Sequence, residues 1–181
     1  MRFSTARWAI ISVTALGCAT APGGPPSSST RVVATSATEM TRDTQPLPTQ
    51  TVQVRMSPDS VLEALRAVYK SLGVDIKEYN PQTGEIGNKS FKRYYRLAGE
   101  PMHHYVGCGT TITGAGADIY RIEMSLMSYL SWTNPGAPVK VQTQLIARGE
   151  DMGTSKGWIA CLTTGALEEK VNQMLLQRIR Q

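Results

Sequence analysis

A polar, proline-rich stretch divides this chain and confines any folded core to its C-terminal part. From Ala19 to about Gln50 the residues are mostly Pro, Ser, Thr, Gly and Ala, with hardly any large apolar side chains. Such a segment cannot bury enough apolar surface to offset the entropy lost on ordering it. We therefore expect one globular domain over 51–181, a usual length for a domain that builds its own core.

The residues before this stretch have the composition of an export signal. Arg2 and Arg7 precede an apolar run of ten residues, from Trp8 to Gly17, and Cys18 follows directly. The run is about half as long as the roughly 20 residues that a membrane-spanning helix needs. A charged start, a short apolar run and a cysteine at the junction are typical of a bacterial lipoprotein signal, in which the cysteine carries the lipid.

Cleavage at this junction defines the organisation of the chain. Residues 1–17 are predicted to be a signal peptide, and 18–50 an acylated cysteine, bearing a chain such as palmitate, followed by a flexible linker of about 30 Å reach. A conventional cut after Ala21 is the alternative, and it would discard Cys18. With Cys18 lipidated, the protein would be anchored in a bacterial envelope. We expect the anchor to lie in the outer membrane with the domain facing the periplasm, and the inner membrane is the alternative location.

Charge and cysteine content agree with export. Loss of 1–17 removes two of the nineteen basic residues and lowers the formal net charge from +5 to about +3. This mild excess suits a solvated surface, and an exported protein is not expected to bind nucleic acid. Cys108 and Cys161 remain as a pair in a compartment where disulfides persist. We expect them to be bonded, with two buried thiols or a metal site as the alternatives.

The start of the domain combines a strand pattern with a clear helix. Residues 51–55 alternate as a strand, and Ser57 then caps a helix with Pro58 in its first turn. Gly73 is placed to end that helix in a left-handed conformation. The apolar stripe of the helix consists of Val61, Leu62, Leu65, Val68, Tyr69 and Leu72.

The rest of the domain alternates mainly as strands. Residues 74–88 alternate around an Asn-Pro-Gln-Thr-Gly turn and predict a β-hairpin. The alternation of residues 120–126 and 139–145 predicts a second antiparallel pair of strands that is solvent-exposed on one face. An apolar segment at 158–162 precedes a final amphipathic helix over 167–179. The predicted class is α+β, in the order β-α-β-β-β-β-α, with two helices covering one face of an antiparallel sheet.

This arrangement resembles the helix-grip domains of the lipoprotein C component of the β-barrel assembly machinery of outer membranes. The resemblance rests on the Ser-Pro-Asp helix start at 57–59, the Leu-Gly-Val helix exit at 72–74 and the hairpin turn at 80–84, and covers about forty residues. In that family a cleaved signal and a low-complexity tether also precede the domain. The family typically has two such domains and as a rule lacks the cysteine pair, so its partner is not carried over.

Catalytic and metal-binding motifs are incomplete in the sequence. The string at 153–157 fits G-x-S-x-G, but the two histidines, His103 and His104, lie upstream and no strand-to-helix elbow is predicted there. Together with Cys108 and Asp118, these histidines supply metal-ligand types without a known ligand spacing. We therefore predict no enzymatic activity, no cofactor and no resident metal.

One segment has the composition of a partner-binding surface, because it interleaves aromatic and cationic side chains. It consists of Phe91, Lys92, Arg93, Tyr94, Tyr95 and Arg96. The same alternation fits a plain strand with its aromatic residues against the core, and both descriptions hold if the outer side of that strand binds. We expect a non-enzymatic module that binds another protein of the cell envelope.

Two other functions stay open in the sequence. A carrier of a lipid or small hydrophobic ligand would need an apolar cavity, lined by Met102, Met124, Met127, Tyr129 and Trp132. A hydrolase would need a cleft that brings Ser155 or a carboxylate pair to a histidine. A packed interior with an exposed apolar or aromatic patch would favour the binding module over the carrier.

Overall fold

The structure, a computed structural model, describes residues 49–153 and 157–180. The predicted signal peptide, Cys18 and the linker up to residue 48 lie outside the described residues, as does Ser155. All described residues belong to one compact unit. Among their helices, none combines the length and the hydrophobicity that a bilayer crossing requires.

Both α-helices of the described chain lie near its ends, with the strands mostly between them. The helices are α1 (Pro58–Ser71) and α2 (Ala166–Ile179), and short 3-10 turns span Met102–His104 and Gly116–Asp118. The strands are β1 (Gln50–Val54), β2 (Glu78–Asn80), β3 (Glu85–Arg93), β4 (Arg96–Leu97), β5 (Glu100–Pro101), β6 (Val106–Gly107), β7 (Thr110–Thr111), β8 (Gly114–Ala115), β9 (Arg121–Ser131), β10 (Val139–Glu150) and β11 (Trp158–Thr163). The predicted α+β class is confirmed.

Helix α1 begins and ends where its sequence predicts. The side chain of Ser57 accepts a hydrogen bond from the backbone N–H of Ser60, and Pro58 occupies the first helical position. Gly73 follows the helix with a φ of 72°, a left-handed conformation that glycine adopts at little cost. The predicted apolar stripe is buried, so the packing of that face against the sheet stabilises the helix.

One antiparallel sheet carries both helices on the same face. Its strand order is β2-β3-β9-β10-β11-β6, and β1 also pairs with β10. On one edge of β10, β1 pairs with residues 139–143 and β11 with residues 147–150, while β9 pairs along the other edge. Helix α1 contacts β3, helix α2 contacts β1 and β10, and the helices contact each other. We name the opposite side of the sheet the outer face.

A line of buried hydrogen bonds crosses the core from α1 to α2. The Tyr69 hydroxyl lies 3.0 Å from Ser128 Oγ, which lies 3.0 Å from Thr143 Oγ1. Thr143 donates to Asn172 Oδ1 at 3.4 Å, and it therefore accepts from Ser128. The Ser128 hydroxyl in turn accepts from Tyr69. All four residues are buried, so this line positions both helices over β9 and β10.

The predicted disulfide is present. Cys108, between β6 and β7, is bonded to Cys161 of β11, with their Cα atoms 4.4 Å apart. Both cysteines are buried. The bond connects the glycine-rich stretch before β9 to a strand of the main sheet, across a sequence separation of 53 residues.

Several local predictions differ from the structure. The hairpin strand predicted from Val74 begins only at Glu78, because the Val74 N–H donates to the Tyr69 carbonyl and closes the end of α1 instead. The apolar segment at 158–162 belongs to strand β11, which adds a strand before α2 to the predicted order. The second antiparallel pair is also longer than predicted, since β10 continues to Glu150.

Candidate functional site

The outer face carries many of the charged side chains of the sheet. Successive residues of a strand point to opposite faces, and Ser128 and Thr143 contact the helix layer. The residues of β9 and β10 that face outward therefore include Arg121, Glu123, Ser125, Ile146, Arg148 and Glu150. This alternation is typical of an antiparallel sheet with one solvated side.

Trp158 of β11 contacts three cations on this face. Its ring centroid lies 4.4 Å from the guanidinium carbon of Arg148, 5.7 Å from that of Arg121 and 5.8 Å from Nζ of Lys92. Each distance is within the roughly 6 Å at which an aromatic ring attracts a cation. The indole is 38% exposed, so the group is open to solvent. These four residues are named the Trp158 cluster.

Two carboxylates neutralise the arginines of the Trp158 cluster. Arg148 donates to Glu123 Oε2 at 2.9 Å, and Arg121 pairs with Glu150. Ser90 donates to the other carboxylate oxygen of Glu123 at 2.7 Å. Hydrogen bonds from Ser90 and then from Arg148 lower the pKa of Glu123, so this carboxylate stays ionised at neutral pH. The Trp158 cluster and these two carboxylates together form a mixed-charge surface.

Two exposed aliphatic side chains adjoin the Trp158 cluster. Ile146 of β10 is 50% exposed, and Leu162 of β11 is 69% exposed. Ala147 pairs with Cys161 in the β10–β11 register, so Ile146 and Leu162 are neighbours on the outer face. Aliphatic residues beside Trp and Arg, with charges around them, have the composition of a protein-binding surface. We name Ile146, Leu162 and the Trp158 cluster the outer-face patch.

The predicted partner segment 91–96 contributes to this patch through Lys92. Phe91 is buried in the core, as the strand alternation predicts. Lys92 points to the opposite side and joins the Trp158 cluster. No ion pair to Lys92 occurs within residues 49–153 and 157–180, so its ammonium is available to an acceptor on a partner.

The remainder of that segment leaves the sheet. Strand β3 ends at Arg93, whose guanidinium donates to a backbone carbonyl at the exit of α1. Tyr95 has a φ of 60°, which interrupts the strand geometry and leaves Tyr94 and Tyr95 exposed. Arg96 donates to a carbonyl in the following turn. The continuous alternation expected over the whole segment therefore holds only as far as Arg93.

The structure gives the residues of the metal-site alternative other partners and does not gather them into one ligand set. His103 pairs with Asp118 through its ring Nδ1 and its backbone N–H, which joins the two 3-10 turns, while His104 packs edge-on against the next tyrosine ring. Cys108 is bonded to Cys161 and is not a free thiolate. Partial burial raises the pKa of Asp118, but hydrogen bonds from His103 outweigh it and the net change is downward. Across residues 49–153 and 157–180, no three His, Cys, Asp or Glu side chains are grouped to hold a metal ion.

The side chains proposed for a carrier cavity lie in different environments. Met102 and Met124 are buried members of the core. Met127 is buried on the outer face of β9, and Tyr129 and Trp132 are partly exposed. These five side chains therefore do not line one shared cavity.

Trp132 lines a surface groove between the β1–α1 connection and the turn that joins β9 to β10. The groove has a volume of about 400 Å³. Most of its lining is apolar, and one cation lies beside it. The lining includes Arg55, Met56, Pro58, Trp132, Pro135 and Ala137. We name this feature the Trp132 groove.

Sequence reasoning did not identify the centre of the outer-face patch. Strand β10 was predicted only as far as Leu145, so Ile146 and Arg148 lay beyond the predicted alternation. Trp158 was noted only as the start of an apolar segment. Continuing the period-two pattern past Leu145 would have placed Arg148 on the outer face, but only the β10–β11 register brings Trp158 beside it.

Comparison with known proteins supplies no relative from which a function follows. No protein-family model matches the chain, and no curated protein matches it significantly. Function is therefore inferred from the residues of this chain.

Proposed function

We propose that this protein is a bacterial envelope lipoprotein that binds another envelope protein through its outer-face patch. Residues 1–17 supply the export signal, Cys18 carries the lipid, and 18–50 tether the domain. The lipid would hold the domain at the outer membrane, facing the periplasm. No catalytic residue and no cofactor is part of this function. The resemblance to helix-grip domains stays a prediction and adds no named partner.

The observation that carries this proposal is the exposure of Ile146 and Leu162 next to Arg148 of the Trp158 cluster. Covering exposed apolar surface is favourable by about 25 cal/mol per Å², so a partner that buries these side chains gains free energy. Trp and Arg are also the residue types most enriched among residues that dominate binding energy. The helices cover the other face of the sheet and leave this one open.

The charges around the patch favour a protein over a simple anionic surface. Arg148 and Arg121 are each paired with a carboxylate, so the patch has no large excess of positive charge. A lipid headgroup layer or a nucleic acid would be selected by clustered, unpaired cations. An interleaved set of cations and carboxylates is instead complementary to a surface that carries both charges, as protein surfaces do.

Chemical crosslinking in intact envelopes, followed by capture of the full chain, tests the binding surface. The double variant Ile146→Glu with Leu162→Glu is expected to lose the specific crosslinked partner, because it places unpaired carboxylates in the apolar centre of the interface. Ile112→Glu is the matched control, since Ile112 is 106% exposed at the turn between β7 and β8, outside the patch. Identical partner patterns for the wild type and the double variant would exclude the outer-face patch as the binding surface.

The intact mass of the mature protein from a membrane fraction tests the anchor. We expect a chain that starts at Cys18 and carries added acyl mass. Reduction should then add the mass of two hydrogens for the bond between Cys108 and Cys161. A mature chain that starts at Pro22 without acyl mass would contradict lipid anchoring while leaving the outer-face patch untouched.

One observation favours a second candidate function, the carriage of a small hydrophobic ligand. The Trp132 groove is concave and largely apolar, and its volume of about 400 Å³ lies in the range of roughly 300–1,000 Å³ that is typical of ligand sites. It lies at the loops beyond β1 and β9, whereas the outer-face patch lies around β10 and β11. A protein with this groove has room for a ligand without opening its core.

A further inference from the structure

Hydrogen bonds within the protein fix the backbone on both sides of the Trp132 groove. On one side, a hydrogen bond from Ser60 to Ser57 fixes the start of α1. On the other side, the backbone N–H of Ala137 donates to the Asn134 carbonyl at 3.1 Å and closes the turn after β9. Ligand sites are usually largely preformed in this way, because ordering a loop on binding lowers affinity.

Gly84 packs against Trp132 and fixes the position of its indole. A Cβ atom added at Gly84 would lie 2.9 Å from Cζ3 of Trp132, so the indole packs directly on the glycine backbone. Gly84 also has a φ of 70°, which a larger residue would adopt only with strain. Trp132 therefore keeps a defined position, with part of its surface exposed in the groove.

Arg55 supplies the positive charge of the groove. It is exposed, and among the residues that the structure describes its side chain has no hydrogen bond and no ion pair. The arginines of the outer-face patch differ, because each is paired with a carboxylate. A free guanidinium beside an apolar groove is complementary to a ligand with an apolar chain and an anionic end group.

We infer that the Trp132 groove binds a free fatty acid of medium chain length, with the acyl chain along Met56, Pro58 and Trp132 and the carboxylate at Arg55. This inference rests on the second candidate function, ligand carriage, and assigns its ligand class. The apolar lining accounts for the chain, and affinity should rise by up to about fourfold for each methylene that the groove buries. Arg55 accounts for the preference for an acid over a neutral alcohol.

Binding of sodium dodecanoate and of dodecanol to the full chain tests the inference. Arg55→Gln is expected to weaken dodecanoate binding by about threefold, the effect of an exposed ion pair, and to leave dodecanol binding unchanged. Trp132→Ala should weaken both by about tenfold, because it removes the largest apolar wall. Ile112→Ala is the matched control, since Ile112 is exposed outside both the groove and the outer-face patch, and it should change neither affinity.

A photoreactive dodecanoate that carries a diazirine on its chain locates the site independently of stability. After irradiation, we expect the label on the peptides that contain residues 55–58 and 132–137. Met56→Glu places a carboxylate in the groove, which repels the anionic end of dodecanoate but not the neutral dodecanol. This variant should therefore bind dodecanoate less well, with less labelling, and lose less of its dodecanol binding.

The possible outcomes separate the inference from the function on which it rests. Equal affinities for dodecanoate and dodecanol, unchanged by Arg55→Gln, would overturn the fatty-acid assignment and leave the groove as a carrier site for neutral ligands. Absence of binding by both probes, or labelling confined to other peptides, would overturn the assignment and the carrier function together. Neither result bears on the outer-face patch, which the crosslinking experiment tests.

Discussion

The guanidinium of Arg148 lies between the ring of Trp158, whose centroid is 4.4 Å away, and the carboxylate of Glu123, to which it donates at 2.9 Å. The three residues come from β10, β11 and β9, so this contact connects neighbouring strands across the outer face. Arginine suits the position because its planar group can stack on an indole while its edge donates to a carboxylate.

A double-mutant cycle of Trp158→Ala and Arg148→Ala measures this contact. We expect a coupling of about 0.5–1 kcal/mol in the free energy of unfolding, the usual size of an exposed cation–π pair. Urea denaturation of the wild type, both single variants and the double variant provides the four values. Strictly additive single effects would show that stacking of Arg148 on Trp158 adds nothing to stability.

Removing the disulfide should destabilise the domain markedly. The bond joins Cys108 to Cys161 across 53 residues of sequence, and the chain-entropy estimate for a loop of this size is about 4 kcal/mol. Urea denaturation of the variant with both cysteines replaced by serine should show this loss, and reductant should reproduce it in the wild type. Cys18→Ser is the control and should unfold as the wild type does. An unchanged midpoint in reductant would contradict this stabilising role.

Tyr69→Phe should be costly because it removes the first donor of the buried hydrogen-bond line. Ser128 would then lose the partner whose hydroxyl lies 3.0 Å away, in a part of the core that water does not reach. We expect a loss of about 1–2 kcal/mol in the free energy of unfolding. Tyr129→Phe, on the partly exposed neighbour in β9, should change it by less than about 0.5 kcal/mol. Equal effects of the two substitutions would show that the buried line is not stabilising.

Glu168 should make stability fall as the pH rises. It is fully buried in the first turn of α2, and burial raises the pKa of its carboxyl even though Thr163 donates to it at 2.9 Å. The folded state thus binds this proton more tightly than the unfolded state does. The stabilising contribution of Glu168 to the free energy of unfolding is fully present below the unfolded pKa of about 4.3. It is lost as the pH rises through the raised pKa of the folded state.

Glu168→Gln tests this dependence, since an amide does not titrate. Urea denaturation across a pH series should show a smaller decline in the free energy of unfolding above about pH 4.3 than the wild type shows. Glu169→Gln alters the exposed neighbour in the same turn and should retain the wild-type decline. A wild-type pH profile in Glu168→Gln would mean that Glu168 does not titrate differently in the folded state.

The elements that could be predicted are those whose signals are local. Helix α1 follows from the Ser57 cap, the Pro58 start and a stripe at helical spacing, because a helix is stabilised by contacts between residues three or four apart. The pairing of Cys108 with Cys161 was predicted because these two cysteines remain once Cys18 is assigned to the lipid and the chain is expected to be exported. The last helix was also predicted, over 167–179, but the burial of Glu168 in its first turn depends on the strands beneath it.

Local sequence patterns predicted the α+β class, the position of α1 and the alternation of β9 and β10, because periodicity and helix caps are properties of the chain. The disulfide pairing also required that Cys18 be assigned to the lipid. Tertiary packing, by contrast, places β1 and β11 on one edge of β10, Trp158 against Arg148, and Trp132 beside a groove that Arg55 also lines. These arrangements depend on strand register and on contacts between distant segments, which a single sequence does not encode as a local pattern. The candidate binding surfaces lie among these arrangements.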